Sequence, residues 1–154
     1  MTWSVRRITG VRCRCEIFAR YCVISEPTKK RPAGKVLTWL DVQEEMSLFL
    51  SVLTIGELHK GISTLPRSRR RSQLQQWIAQ DLPRRFTGRI LPVDQEVATR
   101  WGILTGEAER AGHPIPVLDG LVAATAAVAG LTLATRNTLH MQHTGAVVFD
   151  PWTG

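Results

Sequence analysis

Residues 116–137 read PVLDGLVAATAAVAGLTLATRN, and the order of residue types along this stretch decides the fold class. An acid, Asp119, heads an almost wholly apolar run that breaks at Gly130, resumes as the β-like LTLAT and closes on Arg136 and Asn137. The pattern predicts a loop, a buried helix, a glycine stop, a buried strand and a polar strand end. In an open α/β sheet ligands bind beyond the carboxyl ends of the strands. An acid before the helix and an amide after the strand therefore both stand where a site can form. Each also has a purely structural use, because Asp favours helix N-caps and Asn favours turns.

The flanking sequence alternates in the same way. VISEP, from Val23, leads through a Lys/Arg/Pro/Gly loop at residues 28–34 to KVLTWLDVQEEM, expected as a short helix burying Val36, Leu37 and Leu40. LFLSVLT, Leu48 to Thr54, reads as a buried strand, and a helix follows from Ile55 to about Thr64, stopped by Pro66. Beyond an arginine-rich loop, Leu74, Trp77 and Ile78 have helical spacing, and RILPV around Ile90–Val93 reads as a strand. Asp94 is an apt N-cap for a helix whose Val97, Trp101, Leu104, Ala108 and Ala111 recur every three or four residues. Gly112 and Pro114 end it, and GAVVFDPW, from Gly145, is a last strand. Strands alternating with helices predict a parallel α/β sheet with helices on both faces. Residues 1–21 follow neither period and are expected to be poorly ordered, which leaves 22–154 as the single folded domain.

A chain of 154 residues is long enough to bury a real core, and 44% hydrophobic with 21% charged residues fits a soluble globular protein. The longest apolar run, Leu121 to Ala134, contains Thr and Gly and is too short to span a bilayer. The Arg-rich front has no sustained apolar segment of the kind a signal peptide needs, so the cytoplasm is the expected location. The net charge of +7 is concentrated at the front, where Arg6, Arg7, Arg12, Arg14 and Arg20 face Glu16 alone. Two further clusters, Arg67, Arg69, Arg70 and Arg71 and then Arg84, Arg85 and Arg89, suit either a polyanion partner or a solvated surface. The three cysteines, Cys13, Cys15 and Cys22, all lie near the front, which argues against a disulfide framework or a zinc site. His140 and His143 could share a helix face, but no third ligand is nearby and both are expected at the surface.

A second acid occupies a comparable place. Glu57 lies just past the strand at 48–54, and Thr54-x-x-Glu57 also has the form of a capping box. Together, Glu57, Asp119 and Asn137 fall at strand ends or helix starts, where oxygen ligands suit a hard cation such as Mg²⁺. Such a cation can polarise a phosphodiester and activate water for attack on it.

The succession TIGELHKGI, LPVD, PVLDGLVAATAAVAGLTLATRN and a terminal DPW resembles the PIN-domain family, and more narrowly its VapC/FitB-type toxins. The resemblance runs from Val23 to Trp152. It implies a Rossmann-like PIN fold and a Mg²⁺- or Mn²⁺-dependent endoribonuclease acting as the toxin of a toxin–antitoxin pair. It also implies a homodimer and an antitoxin that blocks the site. Glu57 and Asp119 match the family's metal-binding acids, and Asn137 falls where the family has Asp or Asn. Thr135 and Arg136 flank that position as supporting or phosphate contacts, and Arg67, Arg69, Arg70 and Arg71 are candidates for touching RNA.

One position departs from the pattern. The family's first strand ends in an Asp-Thr-Asn- or Asp-Thr-Cys-type motif; here Cys22 matches its third position, but Tyr21 replaces the Thr and Arg20 the Asp. The missing Asp is the family's central metal ligand, and Arg20 carries a positive charge into the cation's place. The alternative function is therefore a catalytically disabled PIN protein that dimerises and binds antitoxin only. Residues 16–21 can be encoded by nucleotides whose neighbouring frame reads Lys-Tyr-Leu-Leu-Asp-Thr into Cys22. That makes a one-base shift upstream a hypothesis, refuted by an intact frame in the coding DNA of an independent clone.

Overall fold

The computed structural model of the chain describes residues 16–154. Five parallel strands form one sheet in the order β3-β2-β1-β4-β5. They are β1 (Ile17–Ala19), β2 (Leu48–Ser51), β3 (Ile90–Leu91), β4 (Thr132–Ala134) and β5 (Val148–Phe149). The helices are α1 (Tyr21–Ile24), α2 (Gly34–Val42), α3 (Val52–Ser63), α4 (Arg69–Gln76), α5 (Leu82–Arg85), α6 (Gln95–Arg110), α7 (Val117–Ala129) and α8 (Thr138–Met141). A π-helical stretch, Trp77–Asp81, joins α4 to α5.

The parallel α/β sheet covered on both faces is the architecture the sequence predicts, with one correction at its front. The domain does not begin at residue 22: β1 is the middle strand, Ile17 beside Leu48 and Thr132, and Phe18 beside Phe49 and Leu133. A central parallel strand is buried on both faces, so Ile-Phe-Ala suits it without any alternation to betray it. Successive side chains point to opposite faces. Ile17 and Ala19 join Leu40, Leu48, Leu50, Leu58, Ile78 and Phe86 on one side. Phe18 meets Val122, Ala126, Leu133 and Met141 on the other. Residues 1–15, the rest of the segment expected to lack order, lie outside the described residues.

Local chemistry sets the element ends. Asp94 caps α6 as expected, its Oδ1 accepting from the Val97 N–H at 3.0 Å. Gly130 ends α7 at φ 66°, a left-handed conformation that glycine adopts without steric cost. The strand at 48–54 is shorter than expected because Ser51 is the cap of α3, its hydroxyl accepting from the Thr54 N–H at 3.2 Å. The Thr54-x-x-Glu57 capping box does not form, since Thr54 is already inside the helix. The arginine-rich stretch is helical from Arg69, capped by Ser68, rather than wholly loop.

Candidate functional site

The three middle strands of the sheet deliver the site. Residue 20 leaves the carboxyl end of β1, Glu57 stands on the helix that follows β2, and Thr135, Arg136 and Asn137 follow β4 directly. α7 carries Asp119 in its first turn, within bonding distance of Arg20 and Asn137. Four segments distant in sequence therefore converge beyond the carboxyl edge, where open α/β sheets bind ligands.

The structure brings the three principal predicted residues, Glu57, Asp119 and Asn137, to one place. Asp119 does not act as a helix cap: Pro116 is the N-cap of α7, without a side-chain bond. The Asp119 carboxylate instead faces across the site. Its Oδ1 is 2.6 Å from Arg20 Nη2, and its Oδ2 is 2.7 Å from His140 Nδ1 and 3.4 Å from Asn137 Nδ2. Asn137 Nδ2 is also 2.9 Å from His140 Nδ1. A carboxylate only accepts, so the His140–Asp119 bond puts the proton on Nδ1, and the Asn137 amide nitrogen, itself a donor, then makes no hydrogen bond to that atom. Glu57 Oε1 takes the second bond from Arg20 Nη2, at 3.2 Å.

His140 is the member that the sequence reading left at the surface. It sits three residues past Asn137 on the single turn of α8, which puts both side chains on one face toward Asp119. That i,i+3 spacing was the available signal. Thr135 is buried, and its Oγ1 accepts from the Asn137 N–H at 3.1 Å, which holds the strand end. Arg136 is exposed, its guanidinium carbon 5.8 Å from the centre of the Trp152 ring.

The arginine cluster stands apart. Arg70 donates to the Thr28 carbonyl at 2.8 Å and Arg71 to the Leu65 carbonyl at 2.8 Å, bonds that fasten the start of α4. None of Arg67, Arg69, Arg70 and Arg71 lines the cleft next to Arg20. That cleft, about 470 Å³, is walled by Arg20, Tyr21, Cys22, Ser25, Lys29, Thr135, Arg136, Asn137 and Trp152.

Electrostatics make Arg20 the centre of the arrangement. Its side chain is 7% exposed, and those of Glu57 and Asp119 are 10% and 7%. Burial on its own would lower the Arg20 pKa, but attraction to Glu57 and then Asp119 outweighs it and raises the pKa, so the guanidinium is permanently charged. Burial pushes the Glu57 carboxyl above the usual range, against the downward pull of Arg20. Glu57 Oε2 and Arg20 Nε and Nη1 are buried without a hydrogen-bond partner among the described residues.

These residues do not fit a divalent cation. Arg20 Nη2 stands between the two carboxylates that would hold it, and His140 occupies the other oxygen of Asp119. Glu57 Oε2 is the one carboxylate oxygen of the pair left over, far short of the near-octahedral oxygen shell Mg²⁺ requires. Two positive charges about 4 Å apart repel by about 4 kcal/mol at an effective dielectric of about 20, and by more for a divalent ion. Among the described residues no group of three or more His, Cys, Asp or Glu is placed to hold a metal.

A five-stranded parallel sheet carrying a buried Glu/Asp pair and an Asn beyond its central strands defines a PIN-like α/β domain. Toxin FitB of Neisseria gonorrhoeae is 36% identical over 130 residues, 84% of this chain and 94% of its own length. VapC ribonuclease Y4jK of Sinorhizobium fredii is 35% identical over 130 residues, 84% and 93% of the two chains. A structure of FitAB bound to an IR36 DNA fragment superposes with a TM-score of 0.83 at 34% identity, over 88% of this chain and 95% of that one. No protein-family model matches the sequence. The chain belongs to the VapC/FitB family of PIN-domain toxins of toxin–antitoxin systems. Among the described residues no helix is long and apolar enough to cross a membrane.

Proposed function

We propose that this chain is a toxin-family PIN protein that binds a cognate antitoxin but, with Arg20 in place, neither loads Mg²⁺ or Mn²⁺ nor hydrolyses RNA. The observation that carries the reading is the buried bridge from Arg20 Nη2 to Asp119 Oδ1 at 2.6 Å and Glu57 Oε1 at 3.2 Å. One internal positive charge sits between the two acids and offsets half of the charge that a divalent ion would balance, while its nitrogen fills the place between them. Family membership supports the rest of the proposal: a cytoplasmic homodimer that joins its antitoxin and, as the FitAB structure's DNA fragment suggests by analogy, reaches DNA in that complex.

The second reading is the family's own activity, a metal-dependent endoribonuclease with Glu57 and Asp119 holding the metal and Asn137 a bound water. The relative named VapC ribonuclease favours it, as does the convergence of those three residues. RNA cleavage with added Mn²⁺ or Mg²⁺ separates the two. The chain as it stands, an Arg20→Asp/Tyr21→Thr double variant, and that variant with Asp119→Asn would be compared. Cutting by the double variant alone, abolished by Asp119→Asn, supports the disabled reading. Asp119-dependent cutting by the unaltered chain overturns it.

A further inference from the structure

The basic residues that stand apart from the site form a surface of one sign. No acid lies between residues 27 and 40 or between residues 58 and 80. The fold joins these two runs: α3 packs against α4, and Arg70 Nη2 donates to the Thr28 carbonyl at 2.8 Å. Lys30 and Arg31 of the first run and Arg67, Arg69 and Arg70 of the second are exposed, and Arg71 is half-buried. None of the six makes an ion pair among the described residues. Glu26, just before the first run, is buried and already holds Lys29. Such a surface repels itself where intermingled acids would relieve it, and it concentrates an anionic partner.

The position of the arginines on α4 adds to that cost. Ser68 caps the helix, so Arg69, Arg70 and Arg71 take its first three places, with no acid in that turn. The first turn is the positive end of the helix dipole, where cations are unfavourable and carboxylates favourable. A local rule broken at three successive positions marks a place shaped by something outside the helix. Two of these guanidinium groups are also fixed, Arg70 by the Thr28 carbonyl and Arg71 by the Leu65 carbonyl, each at 2.8 Å. Fixed planar donors suit carboxylates, which accept from them in charge-assisted bonds.

Leu65 chooses between anionic partners. It is an exposed large apolar side chain two residues before Arg67, with Pro66 exposed between them. The indoles of the two runs, Trp39 and Trp77, pack against the core, so they offer no platform for stacked bases. A phosphate backbone gains nothing from Leu65, whereas an apolar side chain set among acids does. We propose that this face docks an acidic protein segment, its carboxylates on Arg67, Arg69 and Arg70 and an apolar side chain on Leu65. None of these residues lines the cleft next to Arg20, and the proposal holds whether or not the chain cleaves RNA.

Fluorescence anisotropy of the full chain tests it, with a labelled peptide of repeated Glu-Glu-Leu as the probe. Its Gln-Gln-Leu counterpart, an all-Glu peptide, a DNA duplex and a single-stranded RNA serve as competitors. The Glu-Glu-Leu peptide binds at least about tenfold more tightly than the Gln-Gln-Leu peptide, and more tightly than the other three. Arg67→Gln/Arg69→Gln weakens it about tenfold, by loss of charge-assisted bonds. Its thermal midpoint does not fall, because Arg69 opposes the dipole of α4 and both side chains are exposed. Arg100→Gln/Arg110→Gln, the same loss of charge on α6, changes binding less than about twofold, since salt screens exposed charges that make no contact. Equal weakening by the two double variants overturns the proposal, because only net charge is then at work. Tighter binding of duplex or RNA overturns the assignment to a protein segment, as does Leu65→Ser without effect on the Glu-Glu-Leu peptide.

Discussion

Arg20 Nη2 lies 2.6 Å from Asp119 Oδ1, with each side chain only 7% exposed. A guanidinium in that position makes two buried carboxylates tolerable without a metal ion. Removing one partner of a buried ion pair leaves an uncompensated charge and costs about 3–5 kcal/mol. Arg20→Met is therefore expected to lose about that much stability in urea unfolding at pH 7. The loss shrinks when Mn²⁺ is added or the pH is lowered, because either relieves the carboxylates. A change under about 0.5 kcal/mol, within the usual range for a surface position, would mean the bridge contributes nothing.

Glu57 gives the site a pH dependence of opposite sign to that of an ordinary paired acid. Burial raises its folded pKa above the unfolded value, with Arg20 pulling the other way. Between those two values the native state holds more protons than the unfolded chain, so this group's stabilising contribution is full below the unfolded pKa. It is lost as pH rises through the folded pKa. Glu57→Gln removes the titration. Unfolding of both proteins at pH 4 and pH 7 is expected to show the unaltered chain losing ground to the Gln variant at the higher pH. A difference independent of pH, or one moving the other way, contradicts the raised pKa.

The sheet and the acids were legible in the sequence because both have periodic or positional signatures. The apolar run of α7 with Asp119 at its head, the Gly130 stop and Asp94 as a cap each follow from one local rule. What could not be read depends on long-range contact. β1 is three residues long, too short for a period, and its burial comes from strands 31 and 115 positions away, Leu48 beside Ile17 and Leu133 beside Phe18. The residue type at position 20 announced a conflict with a cation, yet not that one guanidinium nitrogen would bridge both acids. His140 was missed because its partner Asp119 is 21 residues away, although the spacing from Asn137 was visible.

Phe18 tests whether the front of the chain belongs to the sheet. Its side chain is 0% exposed and packs with Val122, Leu133 and Met141. Truncating such a residue costs its transfer free energy and a cavity, about 3–5 kcal/mol for Phe→Ala. Phe18→Ala is thus expected to lower the chemical denaturation midpoint by that equivalent. If residues 16–21 were not part of the domain, the same change would be nearly silent.

Gly120 tests the packing that carries Asp119, its neighbour on α7. A Cβ at Gly120 would lie 2.8 Å from Thr105 Cγ2 and 3.0 Å from Trp101 Cδ1, both on α6. Helix propensity favours Ala over Gly by about 1 kcal/mol, while forcing a methyl into a packed contact costs about 1–3 kcal/mol. The Trp101 ring is large and its Nε1 is already buried without a partner among the described residues, so it has little room to yield. The clash therefore outweighs the propensity, and Gly120→Ala is expected to be destabilising by about 1 kcal/mol net. Thermal unfolding checks the sign: a raised midpoint would mean that α6 gives way freely and that the seat of Asp119 is set by Arg20 and His140 rather than by helix packing.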